Sequence, residues 1–267
     1  FLTHLDDALE ALRTMVELMQ SSHNNVVVVL TTNMGYMTML VNFVCAARAR
    51  NLDISNLLVF ATDKPSYDVA QQLGLQVFYT ETIFGPMGTE MAQKFADQTF
   101  GEMTYAKMVS VLLVNMLGYD VLFQDCDVIW YKNPLDLFSK ETNTETRENR
   151  DNNDALQDYD IVFMDDGNSS WEYTPFQANT GFFFVRHNER TRYLLTAFLF
   201  AGDLVARIGV DQTVMGNLLN QHSALHGLRV KTMDWHVFPG GKEFGSQKEW
   251  VNALIDHHHA QTVDGVQ

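Results

Sequence analysis

The sequence has few cysteines, little positive charge and no long apolar run. Its 267 residues include two cysteines, Cys45 and Cys126, which are too few for a disulfide framework, and their apolar neighbours predict two buried thiols. Because no apolar run approaches the roughly 20 residues that span a bilayer, we expect these residues to make no membrane contact. The first residue is Phe1, so an upstream targeting segment or anchor stays an open alternative.

Positive charge is scarce, with 18 lysine and arginine residues against 33 aspartate and glutamate residues. The formal net charge of -15 excludes a protein that attracts nucleic acid or an anionic membrane non-specifically. An anionic ligand would therefore need a metal ion or a few well-placed cations. The sequence also lacks the G-x-G-x-x-G fingerprint, which disfavours a dinucleotide-binding fold.

The sequence does contain enough apolar material for a full core. Since 46% of the 267 residues are hydrophobic, we expect one compact domain. Short apolar runs at residues 26–30, 57–61 and 75–79 predict buried strands, and helix-compatible stretches at 37–50 and 66–73 lie between them. Strands that alternate with helices predict an α/β fold, with a mainly parallel sheet flanked by helices.

Several further elements are predicted along the chain. An amphipathic helix at residues 3–20 would have Thr3 and Asp6 as a capping pair. Weak signals at residues 82–101 predict a mobile loop, and the polar residues 139–158 predict a solvated excursion. The remaining predicted elements are helices at residues 105–117, 189–200 and 211–220 and strands at residues 119–124, 161–164 and 181–185.

The run LFQDCDVIWYKNP, residues 122–134, places Asp125 and Asp127 one residue apart in a D-x-D arrangement. In an extended chain both carboxylates would point to one face within roughly 7 Å, where they repel unless a cation lies between them. Carboxylates at the carboxyl end of a strand suit Mg²⁺ or Mn²⁺, which keep ligand positions for phosphates, so a bound diphosphate is implied. The alternative is that one aspartate caps a turn while the other is solvated.

The run LTTNMGY, residues 30–36, begins at the last residue of the first predicted strand. Thr32 and Asn33 offer hydrogen bonds to a nucleotide base, and Tyr36 offers a flat face for it. The alternative is an ordinary turn, because threonine, asparagine and glycine are common turn formers at the end of a strand.

These runs are followed by two later motifs, NTGFFFV and DQTVMGNLLN, in the order and spacing of glycosyltransferases with the GT-A fold. The broad resemblance is to glycogenin-like enzymes. The sequence more closely resembles the nucleotide-diphospho-sugar transferase family of plants and algae, which includes retaining arabinosyl-, xylosyl- and galactosyltransferases. The resemblance implies one Rossmann-like GT-A domain over residues 1–267, with a nucleotide- and metal-binding half at 26–138, the polar loop at 139–158 and a donor-sugar and acceptor half at 159–267.

The resemblance implies a role for each matching residue of the first half. The base and ribose would be held by Leu30, Thr32, Asn33 and Tyr36. Asp125 and Asp127 would bind Mn²⁺, or Mg²⁺, between the two phosphates of the donor. Lys107 matches a lysine that reaches the donor, and an isolated cation in an apolar helix needs an anionic partner. The alternative for Lys107 is a stem that carries its charge to the surface.

In the second half, the resemblance places a carboxylate on the donor sugar at Asp166 or at its neighbour Asp165, with a simple acidic turn as the alternative. Asn179 and Gly181 match a turn in which the amide contacts the sugar and the glycine permits close backbone approach. The alternative for Gly181 is that it merely opens a strand.

Two further matches complete the implied site. Asp211 and Gln212 match an Asp-Gln pair beside the anomeric carbon, although an aspartate at a helix start is also a good N-cap. The family has a late histidine, a few residues before a glycine, as the third protein ligand of the metal. By its spacing to Gly265, His259 is the best match, ahead of the two histidines that precede it.

The sequence therefore predicts a metal-dependent retaining glycosyltransferase that moves a sugar from a nucleoside diphosphate donor, UDP by resemblance, to a hydroxyl group of a glycan or glycoprotein. Retention would use a covalent sugar on Asp211 or Asp166, or attack from the same face within an ion pair. The alternatives are a catalytically inert sugar-nucleotide-binding module and an aspartyl-nucleophile phosphohydrolase. The resemblance also implies the Golgi lumen, with a single-pass type II membrane protein as the full-length chain.

Overall fold

The computed structural model describes residues 2–19, 25–138, 156–167 and 177–234, together with residues 238, 240 and 252. Within these residues the strands are β1 (Val26–Thr32), β2 (Leu57–Ala61), β3 (Gln76–Tyr79), β4 (Asp120–Gln124), β5 (Ile161–Asp165), β6 (Ala178–Val185) and β7 (Val230–Thr232). The α-helices are α1 (Leu5–Leu18), α2 (Met37–Ala49), α3 (Lys64–Gln72), α4 (Glu81–Phe84), α5 (Gln98–Met116), α6 (Glu189–Phe200), α7 (Gly202–Ile208) and α8 (Asp211–His226). Short 3-10 helices lie at Met34–Tyr36 and Pro134–Leu137.

The strands form one sheet in the order β3-β2-β1-β4-β6-β5-β7. β1 pairs in parallel with β2 and β4, β2 with β3, and β5 with β7, whereas β6 is antiparallel to both β4 and β5. The chain builds outward from β1 to β3 and then returns to place β4 on the other side of β1. In open α/β sheets, ligands bind beside such a reversal, outside the carboxyl ends of the strands.

Helices cover both faces of the sheet, so the predicted mainly parallel α/β sheet flanked by helices is confirmed. Successive side chains of a strand point to opposite faces, and Phe183 accordingly packs in one apolar layer while Phe184 packs in the other. The first layer includes buried residues of α1, α5, α6 and α8, such as Leu113. The second includes residues of α2 and α3, such as Phe43.

Helix α5 is buried along most of its length and contacts β1, β4, α6 and α7. It begins at Gln98, earlier than predicted, because Asp97 acts as its N-cap and accepts a hydrogen bond from the backbone N of Phe100 at 2.8 Å. The prediction of a loop over residues 82–101 is therefore wrong at both ends, where α4 and α5 extend into it. A polar side chain on this helix must find its partners inside the protein.

Several local predictions are corrected by the structure. Thr3 and Asp6 do not cap α1, because the helix begins at Leu5 and its N-cap residue His4 makes no side-chain cap bond. Cys126 is buried as predicted, whereas Cys45 is exposed. α8 continues beyond its predicted end, and α7 and β7 were missed. No helix in the described part of the chain is both long and apolar enough to cross a membrane.

Asp160 ties the start of β5 to two other segments of the chain. Its buried carboxylate accepts hydrogen bonds from Nε and Nη2 of Arg190, both at 2.8 Å, and from Nη2 of Arg229 at 3.2 Å. It also accepts bonds from the backbone N of Arg229 and from Nδ2 of Asn188. Burial by itself raises the pKa of Asp160, but the bonds from the two arginines outweigh it and hold the pKa well below its ordinary range.

We expect Asp160→Asn to lower the free energy of unfolding by about 2 kcal/mol at pH 7, because the shape is kept while the charge that both arginines contact is lost. A carboxylate whose pKa falls on folding stabilises the protein above its unfolded pKa of about 3.9 and loses this contribution as the pH falls further. Urea denaturation of both proteins should therefore show a difference that shrinks from pH 7 to pH 3.

The matched control is Asp158→Asn, since Asp158 is exposed and lies two residues earlier. Its unfolding free energy should change by less than about 0.5 kcal/mol at either pH. A loss for Asp160→Asn that is equal at pH 7 and pH 3 would contradict this account of the cluster.

Candidate active site

The two aspartates of the D-x-D arrangement lie in a turn directly after β4. The strand ends at Gln124, and the backbone N of Val128 donates to the carbonyl of Asp125 at 3.4 Å. The prediction that both carboxylates point to one face of an extended strand is therefore wrong. The turn nevertheless leaves Asp125 and Asp127 bordering the same cavity, at the carboxyl end of β4 and beside the reversal of strand order.

Lys107 brings three elements together at this point. Its Nζ lies 3.6 Å from Oδ2 of Asp125, after β4, and 3.3 Å from Oδ2 of Asp211, at the start of α8. Only 8% of the Lys107 side chain and 2% of the Asp211 side chain are exposed. The alternative in which Lys107 carries its charge to the surface is therefore excluded.

Asp211 does not cap α8 with its side chain. The N-cap residue is Val210, which makes no side-chain cap bond, and Asp211 is the first residue of the helix itself. Within the described part of the chain its Oδ2 accepts no hydrogen bond of good geometry, so its contact with Lys107 is an ion pair. The N-cap alternative for Asp211 is therefore wrong, and its carboxylate faces the buried cation instead.

The charges around Lys107 do not balance. Although 41% of the Asp125 side chain is exposed towards the cavity, its desolvation raises its pKa to about 6; Lys107 opposes this rise, and the charges of Asp127 and Asp211 add to it. For Lys107 desolvation lowers the pKa, but the attraction of Asp125 and Asp211 outweighs it and raises the pKa above its ordinary value. Two carboxylates, those of Asp125 and Asp211, therefore share one ammonium group.

The sugar-side residues predicted from β6 lie next to Asp125. The Asn179 amide is fixed at both ends, because Oδ1 accepts a bond from the backbone N of Gly181 at 2.7 Å and Nδ2 donates to Oδ1 of Asp166 at 3.0 Å. Asp165 instead accepts a bond from the backbone N of Gly167. Asp166 is thus the member of its pair that joins the cluster, whereas the acidic-turn alternative describes Asp165.

Gly181 has a steric reason to be glycine. It lies inside β6, so the alternative in which it opens a strand is wrong. Its carbonyl accepts a hydrogen bond from the backbone N of Asp125 at 2.7 Å. A Cβ at this position would lie 2.8 Å from Oδ2 of Asp125 and 2.9 Å from Oδ1 of Asn179, closer than real contacts allow. The glycine therefore permits the close approach of β6 to the D-x-D turn.

Gln212 connects this strand to α8. Its Oε1 accepts a hydrogen bond from the backbone N of Thr180 at 3.1 Å, which aligns the first turn of α8 with the residues around Asn179. The structure thus brings together seven residues that the sequence predicted separately: Lys107, Asp125, Asp166, Asn179, Gly181, Asp211 and Gln212.

The predicted base-binding residues occupy less exposed positions. Leu30, Thr32 and Asn33 are completely buried. The hydroxyl of Thr32 donates to the carbonyl of Asn33 at 3.1 Å. Of the four predicted residues, Tyr36 alone lines the cavity beside Asp125, and the base-binding roles of all four remain predictions.

That cavity has a volume of about 190 Å³. It is lined by Thr31, Tyr36, Met39, Phe100, Met103, Thr104, Lys107, Asp125, Cys126 and Asp127. Phe100, Met103 and Thr104 were not predicted at the cavity, because Phe100 fell in the predicted loop and the predicted helix began only at residue 105. The capping position of Asp97 was the signal for an earlier helix start. A larger cleft of about 720 Å³, between α5 and α7, contains none of the predicted site residues.

The residues at the cavity fit a divalent cation. Asp125 and Asp127 supply hard oxygen ligands, and a cation bound by both would relieve the repulsion from Asp127 that adds to the desolvation of Asp125. Among the described residues no group of three or more histidine, cysteine or acidic side chains could hold a metal. The predicted third ligand, His259, and the two histidines before it lie outside the described residues, as does most of the predicted polar loop at 139–158.

Comparison with known proteins gives a family match. The family model described as nucleotide-diphospho-sugar transferase matches residues 52–264. Together with the observed sheet, this match confirms the predicted α/β fold of the GT-A class.

Curated relatives include plant and slime-mould enzymes. The chain is 34% identical over 130 residues to beta-arabinofuranosyltransferase RAY1 of Arabidopsis thaliana. This match covers 48% of this chain and 23% of that protein. The chain is also 23% identical over 270 residues to UDP-galactose:fucoside alpha-3-galactosyltransferase of Dictyostelium discoideum. This second match covers 87% of this chain and 40% of that protein. The chain therefore spans less than half the length of either relative.

The solved structures that resemble the chain are distant. An active-site mutant of LgtC has a TM-score of 0.46 and 11% identity, with 78% of this chain and 73% of that chain covered. The apo-form glycosyltransferase GlyE of Streptococcus pneumoniae TIGR4 has a TM-score of 0.43 and 12% identity, with 87% and 51% covered.

We expect Lys107→Met to lower the free energy of unfolding by about 3 kcal/mol at pH 7, because the carboxylates of Asp125 and Asp211 would lose their cation. The loss should be smaller at pH 5, since Asp125 already has a pKa of about 6 beside the lysine and takes up a proton there. Urea denaturation at the two pH values measures both differences.

Lys64→Met is the matched control, because Lys64 is exposed and pairs with Asp68 at the surface. It should change stability by about 0.5 kcal/mol or less. An unchanged stability for Lys107→Met, or a larger loss at pH 5 than at pH 7, would refute the view that the buried ion pairs hold these three elements together.

Proposed function

Since the chain belongs to the nucleotide-diphospho-sugar transferase family, we propose that it is a glycosyltransferase that moves a sugar from a UDP donor to a hydroxyl group of a glycan or glycoprotein. The observation that carries the proposal is the convergence of Lys107, Asp125 and Asp211 at the carboxyl end of the sheet, with Asn179 and Gln212 beside them. A cation, a carboxylate proposed to bind the metal and the amides proposed to contact the sugar thus meet at one point.

A divalent cation, Mn²⁺ or Mg²⁺, completes the proposed site. Asp125 and Asp127 would hold it, with His259 as the third ligand by family resemblance. When bound, the ion supplies positive charge to the oxygens of the departing diphosphate, as a Lewis acid does. The negative charge around Asp125 supports this proposal, because Asp125 and Asp211 share the single ammonium group of Lys107 and Asp127 lies in the same turn as Asp125.

Lys107 would stabilise the leaving group directly. Its ammonium group is already fixed between two carboxylates, so it needs little reorganisation when negative charge develops on the diphosphate. The cavity that it lines also contains Tyr36, which would present its ring to the base. Donor phosphates in contact with Lys107 would therefore leave the sugar pointing towards Asn179 and Gln212.

Retention of anomeric configuration is the proposed stereochemical outcome. The carboxylate of Asp211 is almost completely buried and paired with Lys107, which disfavours it as a nucleophile. One oxygen of Asp166 accepts a bond from Asn179. We therefore favour attack by the acceptor on the same face within an ion pair, with both carboxylates stabilising the positive charge that develops on the sugar.

Two other functions are less well supported. A catalytically inert sugar-nucleotide-binding module would keep the residues for the base and the metal, but it would not need Asn179, Asp166 and Gln212 assembled beside them. An aspartyl-nucleophile phosphohydrolase conflicts with the family match. Action in the Golgi lumen stays a prediction from the family resemblance.

We expect the protein to hydrolyse at least one UDP-sugar slowly in the presence of Mn²⁺, and Asp127→Asn to reduce this turnover by at least about 100-fold. Asp127 is exposed, so the variant should keep its unfolding free energy within about 0.5 kcal/mol. A screen over UDP-sugars with and without Mn²⁺ measures turnover, and urea denaturation measures stability.

The exposed Asp136→Asn, on the 3-10 helix at Pro134–Leu137, is the matched control and should retain turnover. Two results would reject the assignment: hydrolysis of no donor together with failure to bind UDP, or full Mn²⁺-dependent turnover by a folded Asp127→Asn variant. Binding of UDP without turnover of any donor would favour the inert module instead.

Stereochemistry is tested separately. With the donor found in the screen and a simple alcohol or sugar as acceptor, the first product observed by proton NMR should have the anomeric configuration of the donor. An inverted product would overturn the proposed retention while leaving sugar transfer intact.

A further inference from the structure

Asn33 makes two hydrogen bonds that no ligand role explains. Its side chain is completely buried, and its Nδ2 donates to the carbonyls of Gly88 and Glu90, both at 2.9 Å. Among the described residues its Oδ1 has no hydrogen-bond partner. A buried amide oxygen without a partner is unfavourable. Asn33 therefore contributes to this contact through the two N–H donors of its amide. Both donors point to the residues between α4 and α5, which we call the bracing segment (residues 85–97).

The backbone of the bracing segment packs directly against the residues that follow β1. A Cβ at Gly35 would collide with the backbone N of Met91 and would lie 2.6 Å from the carbonyl carbon of Glu90. The hydroxyl of Tyr36 accepts a hydrogen bond from the backbone N of Ala92 at 3.3 Å. Asn33, Gly35 and Tyr36 therefore form one continuous contact with this segment.

The same segment also supports a second residue that lines the cavity. The ring of Phe95 packs against that of Phe100, with 5.0 Å between centroids. Asp97 closes the segment, because its carboxylate accepts bonds from the backbone N of Gln93 and Lys94 and from that of Phe100. Tyr36 and Phe100 both line the cavity beside Asp125. The segment thus contacts two residues that line the proposed nucleotide site, Tyr36 and Phe100.

We propose that Asn33 is a positioning residue that sets donor affinity through the bracing segment. Asn33 fixes the bracing segment through its hydrogen bonds to the carbonyls of Gly88 and Glu90. The segment in turn fixes the distance between Tyr36 and Phe100, into which the donor must fit. This inference rests on the proposed function. It differs from the role implied by family resemblance, in which Asn33 itself contacts the base or ribose.

The two roles are separated by comparing Asn33→Ala with Gly35→Ala. The first removes the hydrogen bonds, whereas the second leaves the Asn33 amide intact and pushes the segment away through its new methyl group. We expect each variant to raise the KM for the UDP-sugar, and the Kd for UDP, by about tenfold with kcat changed less than twofold. The double variant should be no worse than either single variant, because both act through the same segment.

A second measurement needs no nucleotide. Phe95 is exposed, so chymotrypsin cleavage after it depends on the order of the surrounding backbone. Cleavage at Phe95 should be about tenfold faster in both single variants than in the parent protein. Thr89→Ala is the control, because its side chain is exposed in the same segment and Asn33 bonds only to the carbonyls of the residues on either side of it, so cleavage and KM should both stay unchanged.

The outcomes distinguish the failures. If the parent protein binds no UDP, the proposed function fails and this inference falls with it. If UDP binds, the positioning role is overturned when Asn33→Ala weakens donor binding without faster cleavage at Phe95, or when the effects of the two variants on KM multiply in the double variant. Direct contact between Asn33 and the nucleotide would then be the better explanation.

Discussion

The buried ammonium group of Lys107 is the constraint on which the site depends. A cation inside a helix that is buried along most of its length must be neutralised within the protein, and its two partners come from other elements. Asp125 follows β4 and Asp211 begins α8, so the ion pairs fix three elements at the carboxyl end of the sheet. Gly181 and Gln212 then align β6 with the same point.

This arrangement is better suited to binding than to stability. Asp125 and Asp211 both face the single charge of Lys107, and the charge of Asp211 adds to the rise that desolvation causes in the pKa of Asp125. Burying like charges opposes folding, so such a cluster is expected where a ligand supplies the missing charge. A divalent cation and a diphosphate, bound together, would balance the carboxylates and give the lysine a second anionic partner.

Much of the site could be predicted because its residues lie in short motifs whose order resembles that of a known family. Asp125, Asn179 and Asp211 each lie in a short motif, and the order of these motifs is a property of the sequence. The cavity walls were not predictable in this way. Phe100 and Met103 line the cavity only because Asp97 starts α5 early, and Asn33 is engaged by two backbone carbonyls more than fifty positions away in the chain.

The sequence by itself determined the alternation of strands and helices, because apolar periodicity and run length are local properties. β2 and α6 accordingly have the predicted boundaries. Only the tertiary structure decided whether Asp211 would cap a helix or pair with Lys107, whether Cys45 would be buried, and where the chain would turn after Gln124. Each of these depends on contacts between residues distant in the chain, and local propensity does not contain that information.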